Sequence, residues 1–274
     1  MQSLLKIEWL KIKHYTAFKV LGIFFIVGVV LTNFIVFSVN KNIVENIKPA
    51  GMLSPFDPYS FDNTWQTTSY ATGFLLILPA LLIIILITNE FSYRTSRQNI
   101  IDGWSRQQFI DVKIILAFIL SLLSTLLVLM TATSFALFSG TDFSLRGFDH
   151  VGYFLLKSFS YNMIAVLVSV LIRRTGFAIG LYFIYLGAEN IISQLLDVWS
   201  MKLRADKVAD LGSMGDYLPM NSSDGLLTFP DNPLKSITKS VLPTDYYWVV
   251  ISLAVVYLLF FIWASRERFM KSDL

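Results

Sequence analysis

The sequence predicts an all-α integral membrane protein with six transmembrane helices, and three observations carry that reading. Of its 274 residues, 55% are hydrophobic and only 15% charged, with a mean hydropathy of +0.61. A soluble domain needs roughly a quarter charged residues to cover its surface. The apolar residues fall into repeated runs of about 18 or more, the length that spans a bilayer. The basic residues cluster on alternate connections between those runs, as cytoplasmic loops require. Together these set aside soluble enzymes and nucleic-acid-binding proteins. The chain has no Cys, which excludes disulfides, thiolate metal sites and cysteine nucleophiles.

Residues 3–19 come first. Leu5, Trp9, Ile12 and Thr16 share one helical stripe and Lys6 and Lys13 another, while Glu8, Lys11 and Lys19 intrude on the apolar side. Lysine stems snorkel and Trp favours the headgroup region, so this segment is expected to lie in the membrane interface. The first apolar run is long for a signal-peptide core and no small-residue cleavage site follows, so it is read as a retained span. Spans are expected at 20–39, 70–88, 114–138, 151–172, 177–196 and 246–264. The fourth carries Lys157, Ser158, Ser160 and Asn162 near one end.

One side receives twelve basic residues on short segments: Lys6, Lys11, Lys13, Lys19, Arg94, Arg97, Arg106, Arg173, Arg174, Arg266, Arg268 and Lys271. The other receives eight, spread over much longer loops. Both termini and the 89–113 connection are therefore expected in the cytoplasm. Outside, Pro49, Pro55 and Pro58 mark an irregular loop at 40–69. The long 197–245 loop opens with an amphipathic pattern (Val198, Met201, Leu203, Val208, Leu211) before Pro219, Pro230, Pro233 and Pro243 break it.

Catalytic patterns are sparse. The only two histidines, His14 and His150, fall near opposite membrane boundaries, which does not suit an intramembrane metalloprotease. The membrane serines have no obvious His or Lys partner, and no GxxxxGK[ST] loop occurs. Glu189 is the one carboxylate clearly inside an apolar run. Thirteen residues beyond Gly176, it stands roughly 20 Å from the basic end at 1.5 Å per residue. Either Glu189 and Asn190 belong to a translocation pathway, or the span ends early and both sit at its outer interface.

The 89–113 segment, NEFSYRTSRQNIIDGWSRQQFIDVK, is longer and more polar than a turn between two spans needs. A short helix is expected at 93–102, stopped by Gly103. Ser105 and Gln108 fit a capping box that starts the helix running into the third span.

Glu90, the Arg94-Thr95-Ser96 step, the Ile100-Ile101 pair and Gly103-Trp104-Ser105-Arg106 ahead of Lys113 together resemble the membrane subunit of ABC transporters of the type-2 exporter (ABC-2) superfamily. Relatives often carry Gly where Arg94 stands, and Pro near Trp104. The six spans, inside termini, interfacial N-terminal segment and long fifth-to-sixth loop extend the likeness over the full chain. The resemblance implies a permease that binds no cofactor itself. It pairs with a second copy or a similar permease and sits on two separate ATPase subunits holding ATP and Mg, in the cell membrane and with no nucleic-acid partner. The short helix between the second and third spans would be the coupling helix, with Glu90, Arg94, Thr95, Ser96, Arg97, Ile100, Ile101, Asp102 and Arg106 as coupling residues. Arg173 and Arg174 would form a second cytoplasmic contact. The alternatives are an ion-coupled secondary transporter using Glu189, and a non-transporting immunity or scaffold protein.

Overall fold

A computed structural model describes residues 2–47, 57–230 and 246–272 of the chain; Pro49, Pro55, Pro233 and Pro243 lie outside them. Six helices are long and apolar enough to cross a membrane among the described residues. The apolar runs prove to be the middles of longer helices, because polar residues at each end continue the helix beyond the hydrophobic stretch.

A short helix α1 (Gln2–Lys13) precedes the long α2 (Thr16–Ile47). The continuous helix expected over 3–19 is thus broken at His14 and Tyr15. Tyr15 is held at this break by Asn89, whose Nδ2 donates to its hydroxyl at 2.5 Å. The second span consists of α3 (Phe61–Gly73), a 3-10 turn at Phe74–Leu76 and α4 (Ile77–Ser92). Pro79 accounts for the tightened turn: it has no N–H to give, and its ring crowds the carbonyl four residues back. The small α5 (Thr95–Ile101) leads to α6 (Arg106–Ser139), α7 (Asp149–Ile172) and α8 (Thr175–Ala205). Among the described residues, a 3-10 turn (Met214–Tyr217), a single helical turn, α9 (Asn221–Asp224), and a last span, α10 (Tyr247–Met270), follow. The amphipathic pattern after residue 197 is the continuation of α8 as far as Ala205, not a separate helix.

α7 is the axis of the bundle: 67% of its apolar window is buried, against 17% for α2 and for α8. That position explains the polar residues in the fourth span, which face inward where partners exist. Asn162 Nδ2 donates to the Ala117 carbonyl at 3.2 Å and to Ser121 Oγ at 2.8 Å, and Lys157 Nζ lies 3.2 Å from Asp224 Oδ1. The exposed faces of α2, α8 and α10 are predominantly apolar, as a lipid-facing surface requires.

At one end of the bundle α1, α5, the start of α6 and the end of α10 meet. Phe109 stacks on Phe269 at 5.0 Å, and Arg266 Nε donates to Asp111 Oδ1 at 2.7 Å. At the opposite end the 140–148 connection is tied to α3 through Thr141 and Ser144.

Candidate functional site

The segment between α4 and α6 is a protrusion built by local backbone chemistry. Tyr93 N–H closes on the Asn89 carbonyl at 2.9 Å, and Arg94 then turns left-handed at φ +57°. Thr95 Oγ1 donates to the Glu90 carbonyl at 3.3 Å, pinning the start of α5 to the end of α4. After α5 the chain reverses at Gly103, whose φ of +102° suits only glycine. The capping box is present: Ser105 Oγ accepts from Gln108 N–H, and Gln108 Oε1 accepts from Ser105 N–H. Both helix starts and stops are therefore fixed without help from outside the chain.

This protrusion sorts the expected coupling residues into two groups. Arg94, Thr95, Arg97, Ile101 and Asp102 are exposed, together with Tyr93, while Ile100 is half-buried. Ser96 and Glu90 are buried, and Arg106 turns away to donate to the Met270 and Ser272 carbonyls at 3.2 and 3.0 Å. Those three shape the base of the protrusion, not its outer face.

Beneath it lies a neutral four-charge cluster that the sequence did not reveal. Lys113 Nζ sits 2.6 Å from Glu8 Oε2 and 2.7 Å from Glu90 Oε1, and Lys11 Nζ lies 3.0 Å from Glu8 Oε1 and 3.3 Å from Glu90 Oε1. Glu8, Glu90 and Lys113 are only 3%, 8% and 2% exposed, so none of the three charges is tolerable without the others. The cluster bolts α1, α4 and α6 together directly under α5. Lys11 also lies over the Trp104 ring at 5.7 Å, which joins α1 to the turn after α5. The signals were present in the sequence as misfits. Glu8 interrupts the apolar stripe of α1, and Lys113 opens an apolar run. Nothing local pairs two residues 105 positions apart.

Burial pushes the Glu8 carboxyl up, but the Lys113 and Lys11 ammonium groups pull it down further, and it lies below its ordinary 4.5. Burial likewise lowers Lys11, but Glu90 and Glu8 outweigh it and the ammonium is raised above 10.5. A lowered acid stabilises fully above its unfolded value, and that contribution disappears as pH falls through the lowered one. A raised base contributes fully below its unfolded value and loses it as pH climbs through the raised one. The docking of α1 is therefore expected to be flat in pH between these limits and to fail on the acid side below 4.5. A red shift of tryptophan emission that disappears in Trp104→Phe reports it; emission unchanged down to the acid limit contradicts it.

At the far end of the bundle, α8 presents a polar stripe made of Glu189, Ser193, Asp197 and Ser200, spaced four, four and three residues apart. It grips the segment that folds back over the bundle. Glu189 Oε1 accepts from Met220 N–H at 2.5 Å, Asn221 N–H at 2.9 Å and Asn221 Nδ2 at 3.2 Å, so it caps α9. Asp197 Oδ1 accepts from Gly215 N–H at 2.8 Å, and Ser200 donates to the Gly212 carbonyl. Gly215 passes so close that a Cβ there would stand 2.7 Å from the Ser193 carbonyl oxygen. From the bundle axis, Tyr161 donates to Asp224 Oδ2 at 3.0 Å beside the Lys157 ion pair. Asn190 does not join Glu189: it faces outward and accepts from Gln194 at 2.6 Å. Glu189→Ala is expected to loosen this segment by about 1–3 kcal/mol, the penalty of leaving buried donors unpaired. Glu189→Gln keeps the acceptor and should change it far less. Hydrogen exchange at Met220 and Asn221 decides between them, and equal exchange in both variants contradicts the capping role.

Arg173 turns left-handed at φ +54° between α7 and α8, with its guanidinium 5.3 Å from the Phe91 ring centroid. It therefore stands at the α5 end of the bundle, with Arg174 exposed beside it.

Residues 4–188 match the family model described as ABC-2 family transporter protein. The chain belongs to that family. This permease matches it over α1 to the middle of α8, which includes α5 and all four residues of the buried cluster. The match ends one residue before Glu189, so the gripping half of α8, the segment over the bundle and α10 lie beyond it. No curated protein matches the permease. The family sets it among the multi-pass membrane components of transporters. Among the residues of the resemblance, Arg94 now has a structural reading. Its backbone is left-handed, a conformation that glycine adopts without strain and in which an Arg costs about 1 kcal/mol.

Proposed function

We propose that this permease is the membrane subunit of an ATP-driven exporter. Two copies, or one copy and a similar permease, pair in the cytoplasmic membrane with both termini and α5 inside the cell. Each copy sits on a separate ATPase subunit that binds ATP and Mg, and α5 is the coupling helix that takes its motion. The observation that carries this reading is the protrusion. A seven-residue helix and the turn that leads into it present Tyr93, Arg94, Arg97 and Ile101 outward and stand on a buried ion cluster joined to three other helices. A loop that only connects two spans has no need of such a base. The mixed face, two cations beside two large apolar side chains, has the composition of a protein contact. The strained backbone at Arg94 supports the same reading, since strain retained at one residue points to a role for it. Arg173 and Arg174 add a second, smaller contact at the same end.

Co-purification tests it. An ATPase subunit should accompany the permease in mild detergent, with two copies of each. Purification without an ATPase, combined with proton- or sodium-driven flux, would favour a carrier using Glu189. That reading has less support, because Oε1 of Glu189 is already engaged by three donors.

A further inference from the structure

An apolar groove of about 290 Å³ runs between α2, α4 and α6 and opens onto the membrane-facing surface of the bundle. Its floor is Phe25, Pro79, Leu82 and Leu120, all buried, and exposed Ile26 and Met130 stand at its mouth. The one hydroxyl in its wall, Ser124 Oγ, is satisfied by the Leu120 carbonyl of its own helix at 2.9 Å. Water therefore has no partner in the groove and will not fill it. Along α6 the lining extends from Leu120 to Met130, about 15 Å at 1.5 Å per residue, which is the shape of a hydrocarbon chain lying along the helices.

The groove's end nearest α5 is basic. Lys19 precedes Gly22 by three residues and Ile26 by seven, which puts it on the groove-lining stripe of α2, one turn closer to α1. It is exposed, as are Lys6 and Lys13. The only carboxylate in residues 1–19 is Glu8, and the buried cluster consumes its charge. A surplus of positive charge thus stands where the headgroup of a lipid seated in the groove must lie.

We propose that this groove holds one acyl chain of an anionic glycerophospholipid from the leaflet on the α5 side, with Lys19 against its phosphate. The site is independent of the ATPase contact, and failure of one leaves the other standing.

The test is intact-mass spectrometry of the full permease released from mild detergent, after extraction from membranes containing phosphatidylglycerol and phosphatidylethanolamine. The wild type should retain one phosphatidylglycerol per chain. Gly22 lines the groove, and a Cβ built there meets nothing within 4 Å, so Gly22→Leu projects its side chain into the groove. It should lower retention at least about tenfold, or 1.4 kcal/mol. Gly176→Leu is equally open and lies outside the groove lining, so it should leave retention unchanged. Lys19→Glu should keep a phospholipid but lose the preference for the anionic one. Equal retention in Gly22→Leu, or phosphatidylglycerol retained only in the proportion of the bulk membrane, overturns the proposal. Cross-linking of Gly22→Cys between two copies, unambiguous in a chain with no native Cys, does so too, because a second copy would then cover the groove.

Discussion

Replacing Lys113 with methionine is expected to weaken the docking of α1 by about 3–5 kcal/mol, the penalty for removing one member of a buried ion pair. The reason is arithmetic of charge. With Lys113 present, two carboxylates face two ammonium groups inside the bundle. Without it, Glu8 and Glu90 remain buried against each other with only Lys11 between them. Lys11 has a side chain 34% exposed, and water screens it. The effect should be local before it is global: the other anchors of α1 are the buried Ile12, the partly buried Leu4 and Leu5 and the Lys11–Trp104 contact, so it should detach while the spans persist. Hydrogen exchange over residues 2–13 measures it, and protection equal to wild type would show that the cluster does not hold α1. Adding Glu8→Gln and Glu90→Gln to Lys113→Met removes the uncompensated charges and should restore most of the loss, because apolar or neutral replacements of a whole buried ion cluster are often close to neutral.

The double variant Arg94→Ala, Arg97→Ala is expected to lower transport-coupled ATPase activity at least about tenfold while leaving membrane insertion intact. A tenfold effect corresponds to 1.4 kcal/mol, below the 2 kcal/mol or more that a central interfacial Arg often carries. The left-handed backbone at Arg94 permits a sharper form. Arg94→Gly should relieve about 1 kcal/mol of strain and make the protrusion slightly more stable, yet still weaken coupling. A purely structural Arg94 predicts the same gain in stability with coupling preserved. Coupled ATPase activity of Arg94→Gly equal to wild type would remove Arg94 from the contact.

The parts of the structure that sequence disclosed were those set by local or one-dimensional rules. Span number follows from the length of apolar runs, and the start of α6 from Ser105 and Gln108 three residues apart. The stop after α5 follows from a glycine free to turn left-handed. The break at His14 and Tyr15 was not legible locally, and the contact that holds Tyr15 there, from Asn89, comes from 74 positions away. The buried cluster was hidden for the same reason, although Glu8 already stood out as a charge on the wrong side of its helix. The second half of α8 was obscured differently. Its polar stripe reads as the end of a span when judged by hydropathy, and only the segment folded against it shows why the helix continues.

The unbroken length of α6 has a mechanical consequence. About 10 Å of helix precedes Lys113 and about 39 Å follows it to Ser139, at 1.5 Å per residue. Were α6 to tilt about Lys113, which carboxylates hold from two sides, α5 would ride on its short arm. A tilt that moves Arg106 by one ångström would carry Ser139 about four, by the ratio of the two arms. If α5 takes the stroke of an ATPase as proposed, α6 would deliver it enlarged at its far end, where the 140–148 connection meets α3.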